Sequence, residues 1–194
     1  MNKAVFLDKD GTLLIDVPYN VDPEQMVIYP DAGPALRQMQ LAGYRLIVVS
    51  NQSGVARGYF AEAALAAVWE QLTSLFAPFG VTFDGFYYCP HQPAGTVGEY
   101  AIDCECRKPQ PGMLRQAAKE LTIDLTESWM IGDILHDVEA GNRARCRSIL
   151  VNRGNETEWQ TGPYRTPTVR VNSLLEAAEQ ITVTHNRLAD PCVQ

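Results

Sequence analysis

Five apolar runs of strand length recur along the chain, each followed by a stretch of helix length. They are residues 4–8 (AVFLD), 44–50 (YRLIVVS), 85–89 (GFYYC), 128–133 (SWMIGD) and 147–152 (RSILVN). Strands that are apolar nearly throughout, rather than alternating, need cover on both faces. Helices between them supply it, so the pattern predicts an α/β fold with a doubly wound parallel sheet. Asp31 is placed to cap a helix that has Pro34 in its first turn and stops at Gly43. Leu65, Val68, Leu72 and Leu75 recur at three- and four-residue steps, which predicts a core-facing helix over 61–76. Further helices are expected over 112–121, 134–142 and 173–181. Residues 16–30, rich in Pro, Asp, Asn and Tyr, read as a loop or flap after the first strand, and 90–110 as a second insertion. A single domain over 1–181 and a loosely held polar tail over 182–194 are the expected organisation.

Composition narrows the function classes. With 16 Lys+Arg against 23 Asp+Glu, the formal charge is −7, the wrong sign for sequence-independent binding of nucleic acid. No apolar run approaches the roughly 20 residues of a membrane span, and MNKAVFLDKDGT has no signal-peptide pattern. A cytoplasmic protein is expected. Five cysteines, an odd number in a reducing compartment, point to thiols or metal ligands before disulfides.

In an open parallel sheet, ligands bind beyond the carboxyl ends of the strands. The first strand delivers Asp8, Asp10 and Thr12 there, with Gly11 for a tight turn. The second delivers Ser50, Asn51, Gln52 and Ser53. The segment after the third delivers Arg107 and Lys108, and the fourth Asp133 and Asp137. Those types suit phosphoryl transfer. Asp8 and Asp133 can hold Mg²⁺, which prefers a few carboxylate oxygens plus waters. Ser50 can grip phosphate oxygens, and Lys108 can offset the charge on the group in flight. Asp8 can attack phosphorus, and Asp10 can protonate the leaving oxygen and later activate water. Taken singly, Lys108 is an ordinary surface charge, Ser50 a helix cap and Asp137 a support for the first turn of a helix; their ordered convergence favours a site.

A second metal signal lies in the insertion: Cys89-x-His91, twelve residues, then Cys104-x-Cys106. Three thiolates and one imidazole complete a tetrahedral Zn²⁺ shell with no position left for water, which is a structural site. Cys146 reads as a buried apolar residue, Cys192 as incidental, and His136 and His185 as surface residues. Arg107 and Lys108 follow Cys106 directly, so zinc would fix both cations, and Arg107 can pair with a second anionic group.

The ordered set resembles the haloacid dehalogenase superfamily: Asp8/Asp10/Gly11/Thr12, Ser50, Lys108 and Gly132/Asp133/Asp137 stand where its four motifs do. The resemblance implies Asp8 as nucleophile, Asp10 as general acid/base, Ser50 and Lys108 as stabilisers, and Mg²⁺ on Asp8, the Asp10 backbone carbonyl and Asp133. The short spacers after the first two motifs imply that no large cap domain is present. With the zinc loop, residues 4–154 resemble the D-glycero-D-manno-heptose 1,7-bisphosphate phosphatases, through FLDKDGTL, VVSNQSGVARGYF, YYCPHQP, CECRKPQPGML and MIGDILHD. That implies removal of the 7-phosphate of a heptose bisphosphate, on the route to nucleotide-activated heptose for bacterial surface polysaccharide. It also implies substrate contacts from Asp16 to Tyr19, Ser50 to Ser53 and Arg107 with a small phosphorylated sugar; a monomer is expected. The chain departs from the family in Lys9, where Arg is usual, and in Pro18, where Gly is common. Histidinol-phosphate phosphatase, which shares the motifs but has a shorter zinc-loop spacer, is the nearest alternative. A phosphorylatable receiver domain is an alternative of another class, although it needs neither Asp10 nor the zinc loop. A zinc-ribbon interaction module is a third, and it leaves the strand-end carboxylates unexplained.

Overall fold

A computed structural model describes residues 1–189, and the side chains of residues 1–183. Six strands, β1 (Ala4–Leu7), β2 (Arg45–Asn51), β3 (Gly85–Cys89), β4 (Trp129–Gly132), β5 (Arg147–Val151) and β6 (Val169–Val171), form one sheet in the order β3-β2-β1-β4-β5-β6. Every pairing is parallel. The helices are α1 (Ala32–Leu41), α2 (Leu65–Phe76), α3 (Gly112–Leu121), α4 (Leu135–Arg143) and α5 (Leu174–Ala189).

Alternation along β1 explains why its whole length is apolar. Val5 and Leu7 join the core that holds Leu36 of α1, Leu72 of α2 and Ile181 of α5. Ala4 and Phe6 join a second core with Leu114 and Ala117 of α3 and Ala140 of α4. A strand with helices on both faces has no solvent side on which to place polar residues. The chain steps outward from β1 to β2 to β3 and then crosses back to β4 on the other flank of β1. The segments leaving β1 and β4 therefore diverge and open a crevice at the carboxyl ends of two neighbouring strands.

Several local expectations change. Asp31 does not cap α1: its backbone is already helical (φ −85°, ψ −12°) and its side chain makes no bond to that helix. A capping residue needs extended backbone to turn its oxygen onto the first-turn N–H groups. The Asp31 carboxylate instead accepts from Arg153 Nη2 (2.9 and 3.1 Å) and from the Leu174 N–H at the start of α5 (2.6 Å). Gly43 does end α1, at φ +81°. The α2 helix starts at Leu65, after a short 3₁₀ turn over Glu62–Ala64. The three-residue β6 is too short to leave a hydrophobic pattern. The α5 helix runs to Ala189, so the tail expected from 182 begins inside a helix; Ile181, wholly buried, anchors this stretch. Residues 190–194, with Cys192, and the side chain of His185 lie outside the described residues.

Candidate active site

The residues at the head of the crevice come from four elements. Asp8 follows β1, Ser50 lies in β2, Lys108 follows the zinc-loop sequence and Asp133 follows β4. Asp8, Lys108, Asp133 and Asp137 are all buried, Lys108 to 3% exposure, which excludes a solvated surface charge. The Lys108 ammonium pairs with the Asp8 carboxylate, with Asp137 Oδ1 (2.6 Å) and with the Val49 carbonyl (3.0 Å). Asp137, from the first turn of α4, thus serves mainly to hold Lys108, although its other oxygen also accepts from the Ile134 N–H (3.4 Å).

Asp8, Asp133 and Asp137 offer carboxylate oxygens that all lie within 4.8 Å of one another. Three carboxylates and one ammonium leave this buried cluster at a formal −2. Charge of that size away from water is costly unless countered, and one divalent cation brings it to zero. The donor set therefore fits Mg²⁺. Burial, reinforced by Asp137, Asp133 and Asp10, holds the Asp8 carboxyl well above its usual range against the pull of Lys108. Burial works to lower Lys108, but Asp137 and Asp8 overcome it and keep the ammonium protonated. Burial and Asp137 push Asp133 up to about 6 from an ordinary 3.8.

Between those two values the folded protein binds more protons than the unfolded chain, so stability falls as pH rises. Without divalent cation, Asp133 is expected to cost roughly 3 kcal/mol across that window and then level off. Thermal melts from pH 4 to 7 check this; Mg²⁺ is expected to restore stability only toward the upper end.

Two residues expected at the substrate face inward. Asn51 Nδ2 donates to the Lys108 carbonyl (3.0 Å), and the Lys108 N–H donates to Asn51 Oδ1 (2.9 Å). This reciprocal pair ties the Lys108 peptide to the end of β2. Gln52 Nε2 donates to Ser50 Oγ (2.8 Å) and to Asp10 Oδ2 (3.3 Å). Asp10 is the most open carboxylate of the group, its side chain 33% exposed, and its second oxygen is paired with the buried Lys9. Asp16 lies within electrostatic reach of Asp10; burial, then Asp10, raises its pKa. Tyr19 adopts φ +57° and packs edge-on against Tyr59 (4.8 Å), with the Arg57 guanidinium over its ring at 5.9 Å. The Ser53 carbonyl accepts from the Arg57 N–H (3.1 Å) in the turn after β2. Arg107 donates to the His91 carbonyl (3.3 Å). A side cavity of about 390 Å³ is lined by Arg107, Lys108, Gln110 and His136, so His136 belongs to the rim of this region.

The zinc-loop donors converge as the spacing predicts. Cys89, at the end of β3, His91, Cys104 and Cys106 present Sγ and Nδ1 atoms all within 4.8 Å of one another. Cys106 Sγ lies 2.9 Å from Cys89, 3.3 Å from Cys104 and 3.3 Å from His91 Nδ1. Its contacts with Cys89, then with Cys104 and His91, pull the Cys106 thiol down to about 5 against burial, while the contact with Cys106 and burial raise Cys89. Three thiols and an imidazole in one shell fit Zn²⁺. Cys146 is buried and takes no part.

The loop after β5 contributes two residues that no motif marks. Asp133 accepts from Thr12 Oγ1 (2.9 Å) on one oxygen and from Asn155 Nδ2 (2.7 Å) on the other. Glu156 accepts from the Leu135 N–H (2.7 Å), the first residue of α4. Gly-Asn-Glu reads as turn composition, so only the fold reveals their place. Gly11 is required here: at φ +82° a Cβ would come within 2.2 Å of Asp133 Oδ2. Gly11→Ala is therefore expected to displace Asp133 and lower kcat at least about tenfold while leaving a folded protein; steady-state assays beside a circular dichroism melt check it.

A HAD-hydrolase-like family model matches residues 105–177. A curated D-glycero-β-D-manno-heptose-1,7-bisphosphate 7-phosphatase from Pasteurella multocida is 48% identical over 155 residues, 79% of this chain and 84% of that protein. The chain belongs to this phosphatase family. Its Haemophilus ducreyi member is 43% identical over 175 residues, 90% of this chain and 95% of its own. The crystal structure of D,D-heptose 1,7-bisphosphate phosphatase from B. bronchiseptica, complexed with magnesium and phosphate, superposes with a TM-score of 0.80. It is 31% identical and covers 94% of this chain and 99% of its own. As a member of the family the chain is a phosphoric monoester hydrolase of haloacid dehalogenase-like fold. No helix among the described residues is long and apolar enough to cross a membrane.

Proposed function

We propose that the protein hydrolyses the 7-phosphate of D-glycero-D-manno-heptose 1,7-bisphosphate through a phosphoaspartate on Asp8. The observation that carries this is the buried Asp8–Lys108–Asp137 network at the crevice of a chain 48% identical to a phosphatase of that name. An Asp8 carboxylate oxygen attacks phosphorus, and the bond between phosphorus and the sugar oxygen breaks. Asp10, the carboxyl most open to the crevice, gives its proton to that leaving oxygen. It then takes a proton from water, which attacks the phosphorus of the phosphoaspartate and frees Asp8 and inorganic phosphate. Ser50 and Lys108 stabilise the charge on the phosphoryl oxygens. Mg²⁺ on Asp8, Asp133 and the Asp10 backbone carbonyl supplies further charge neutralisation when bound. Asn51 and Gln52 act by holding Lys108, Ser50 and Asp10 in register. Asp16, Tyr19, Ser53 and Arg107 face the sugar and its second phosphate, and Cys89, His91, Cys104 and Cys106 hold a structural Zn²⁺. A cytoplasmic monomer fits this role.

Comparing kcat/KM on both anomers of the heptose bisphosphate and on histidinol phosphate tests the assignment. At least about 100-fold preference for a heptose bisphosphate is expected, equivalent to about 2.7 kcal/mol of transition-state binding. Efficient turnover of histidinol phosphate alone would overturn it.

A further inference from the structure

We infer that Asn155 is a positioning residue that aims the Asp133 carboxylate for divalent-cation binding, an inference that rests on Asp133 being a ligand of that cation. Asp133 has one oxygen engaged by Thr12 Oγ1 (2.9 Å) and the other by Asn155 Nδ2 (2.7 Å). An ionised carboxylate has about four acceptor sites, so these two donors fix its plane and leave lone pairs free toward Asp8. The Asn155 amide also reaches the Gly11 carbonyl at 3.5 Å, which places it between the loops leaving β1 and β4.

The chemistry of the side chain matters as much as its position. A lysine at 155 would neutralise Asp133 and compete with the cation, whereas an amide orients the oxygen without removing its charge. Next to it, Glu156 accepts from the Leu135 N–H (2.7 Å), and its other oxygen accepts from the Glu158 and Trp159 N–H groups (2.8 and 3.2 Å). The loop that carries Asn155 is thereby fastened to the start of α4, two residues beyond Asp133. Groups that orient a metal ligand from outside its shell commonly change metal affinity 10–100-fold when removed.

The test is Mg²⁺ binding to the metal-stripped, zinc-loaded protein, followed by calorimetry and by the Mg²⁺-dependent rise in Tm, with no substrate present. Asn155→Ala is expected to weaken Mg²⁺ at least tenfold, Asn155→Leu likewise, and Asn155→Gln to recover part of the loss. In assays, the Mg²⁺ activation constant is expected to rise by the same factor as the binding constant. Asp133→Asn, run alongside, is expected to abolish binding. If Asp133→Asn abolishes binding but both apolar variants keep parental affinity, the inference is wrong even where their Tm falls. If Asp133→Asn leaves binding intact, the ligand assignment fails and takes the inference with it. Substrate preference enters neither outcome, so failure of the heptose assignment is read separately.

Discussion

Asp8→Asn is expected to lower phosphatase turnover by about 10⁴-fold or more, with the fold retained. The amide has nearly the carboxylate's size but cannot form the bond to phosphorus, so no compensation is available from its neighbours. Lys108 keeps Asp137 and the Val49 carbonyl as partners, which is why a cooperative melt is expected to survive. Asp10→Asn should behave differently. The attack by Asp8 can still occur, while protonation of the leaving oxygen and activation of water are impaired, a loss of about 10²–10⁴-fold. Phosphate release under saturating Mg²⁺, with each variant's melt recorded, separates the two. Activity of Asp8→Asn within tenfold of the parent would remove Asp8 from the role of nucleophile.

Removing the proposed zinc is expected to have the second large effect. Cys104→Ser and Cys106→Ser are each expected to lose the bound metal, about one ion per chain by elemental analysis. With it should go about 3 kcal/mol or more of stability, a fall in Tm of roughly 10 °C for a chain of this size. The span from His91 to Cys104 has few apolar anchors: its middle is held by hydrogen bonds from the Thr96 and Val97 N–H groups to the Ala56 carbonyl and from the Tyr100 hydroxyl to Glu62, and its two ends by the cluster of donors. Trypsin should then cut first after Arg107, since the bond after Lys108 precedes Pro109 and resists it. Turnover should drop about 10–100-fold rather than vanish, because the Asn51 amide still holds the Lys108 peptide to β2. Unchanged Tm and turnover after stoichiometric loss of zinc would show the loop to be fixed by other means.

The parts legible in the sequence are those with a strong local signature. A wholly buried strand such as β1 must be apolar throughout, and the two paired zinc motifs bring their own spacing. Asp8, Asp10, Ser50, Lys108 and Asp133 were recognisable because strand ends concentrate polar residues at one rim. What escaped depended on distant partners. Asp31 has the composition of a cap, yet its carboxylate serves Arg153 and α5, more than a hundred residues away. Asn51 and Gln52 are motif residues whose amides turn inward. Asp137 is intelligible only with Lys108, and Asn155 only once the loop after β5 has folded back against Gly11. Sequence periodicity carries no information about such pairings.

The sheet order has a consequence for how the protein is made. Until β4 emerges, one edge of β1 is bare, since β1 pairs with β2 on one flank and β4 on the other. Asp8, Asp10 and Ser50 lie in the first third of the chain; Lys108 and Asp133 arrive much later. A ribosome-bound chain that stops after the zinc loop holds Asp8 without the strand that delivers Asp133. On the proposed mechanism both sets of residues are needed, so hydrolysis waits until the late strands have inserted beside the early ones. Truncated products should therefore be inert, and mixing the two halves is the place to look for activity regained by complementation.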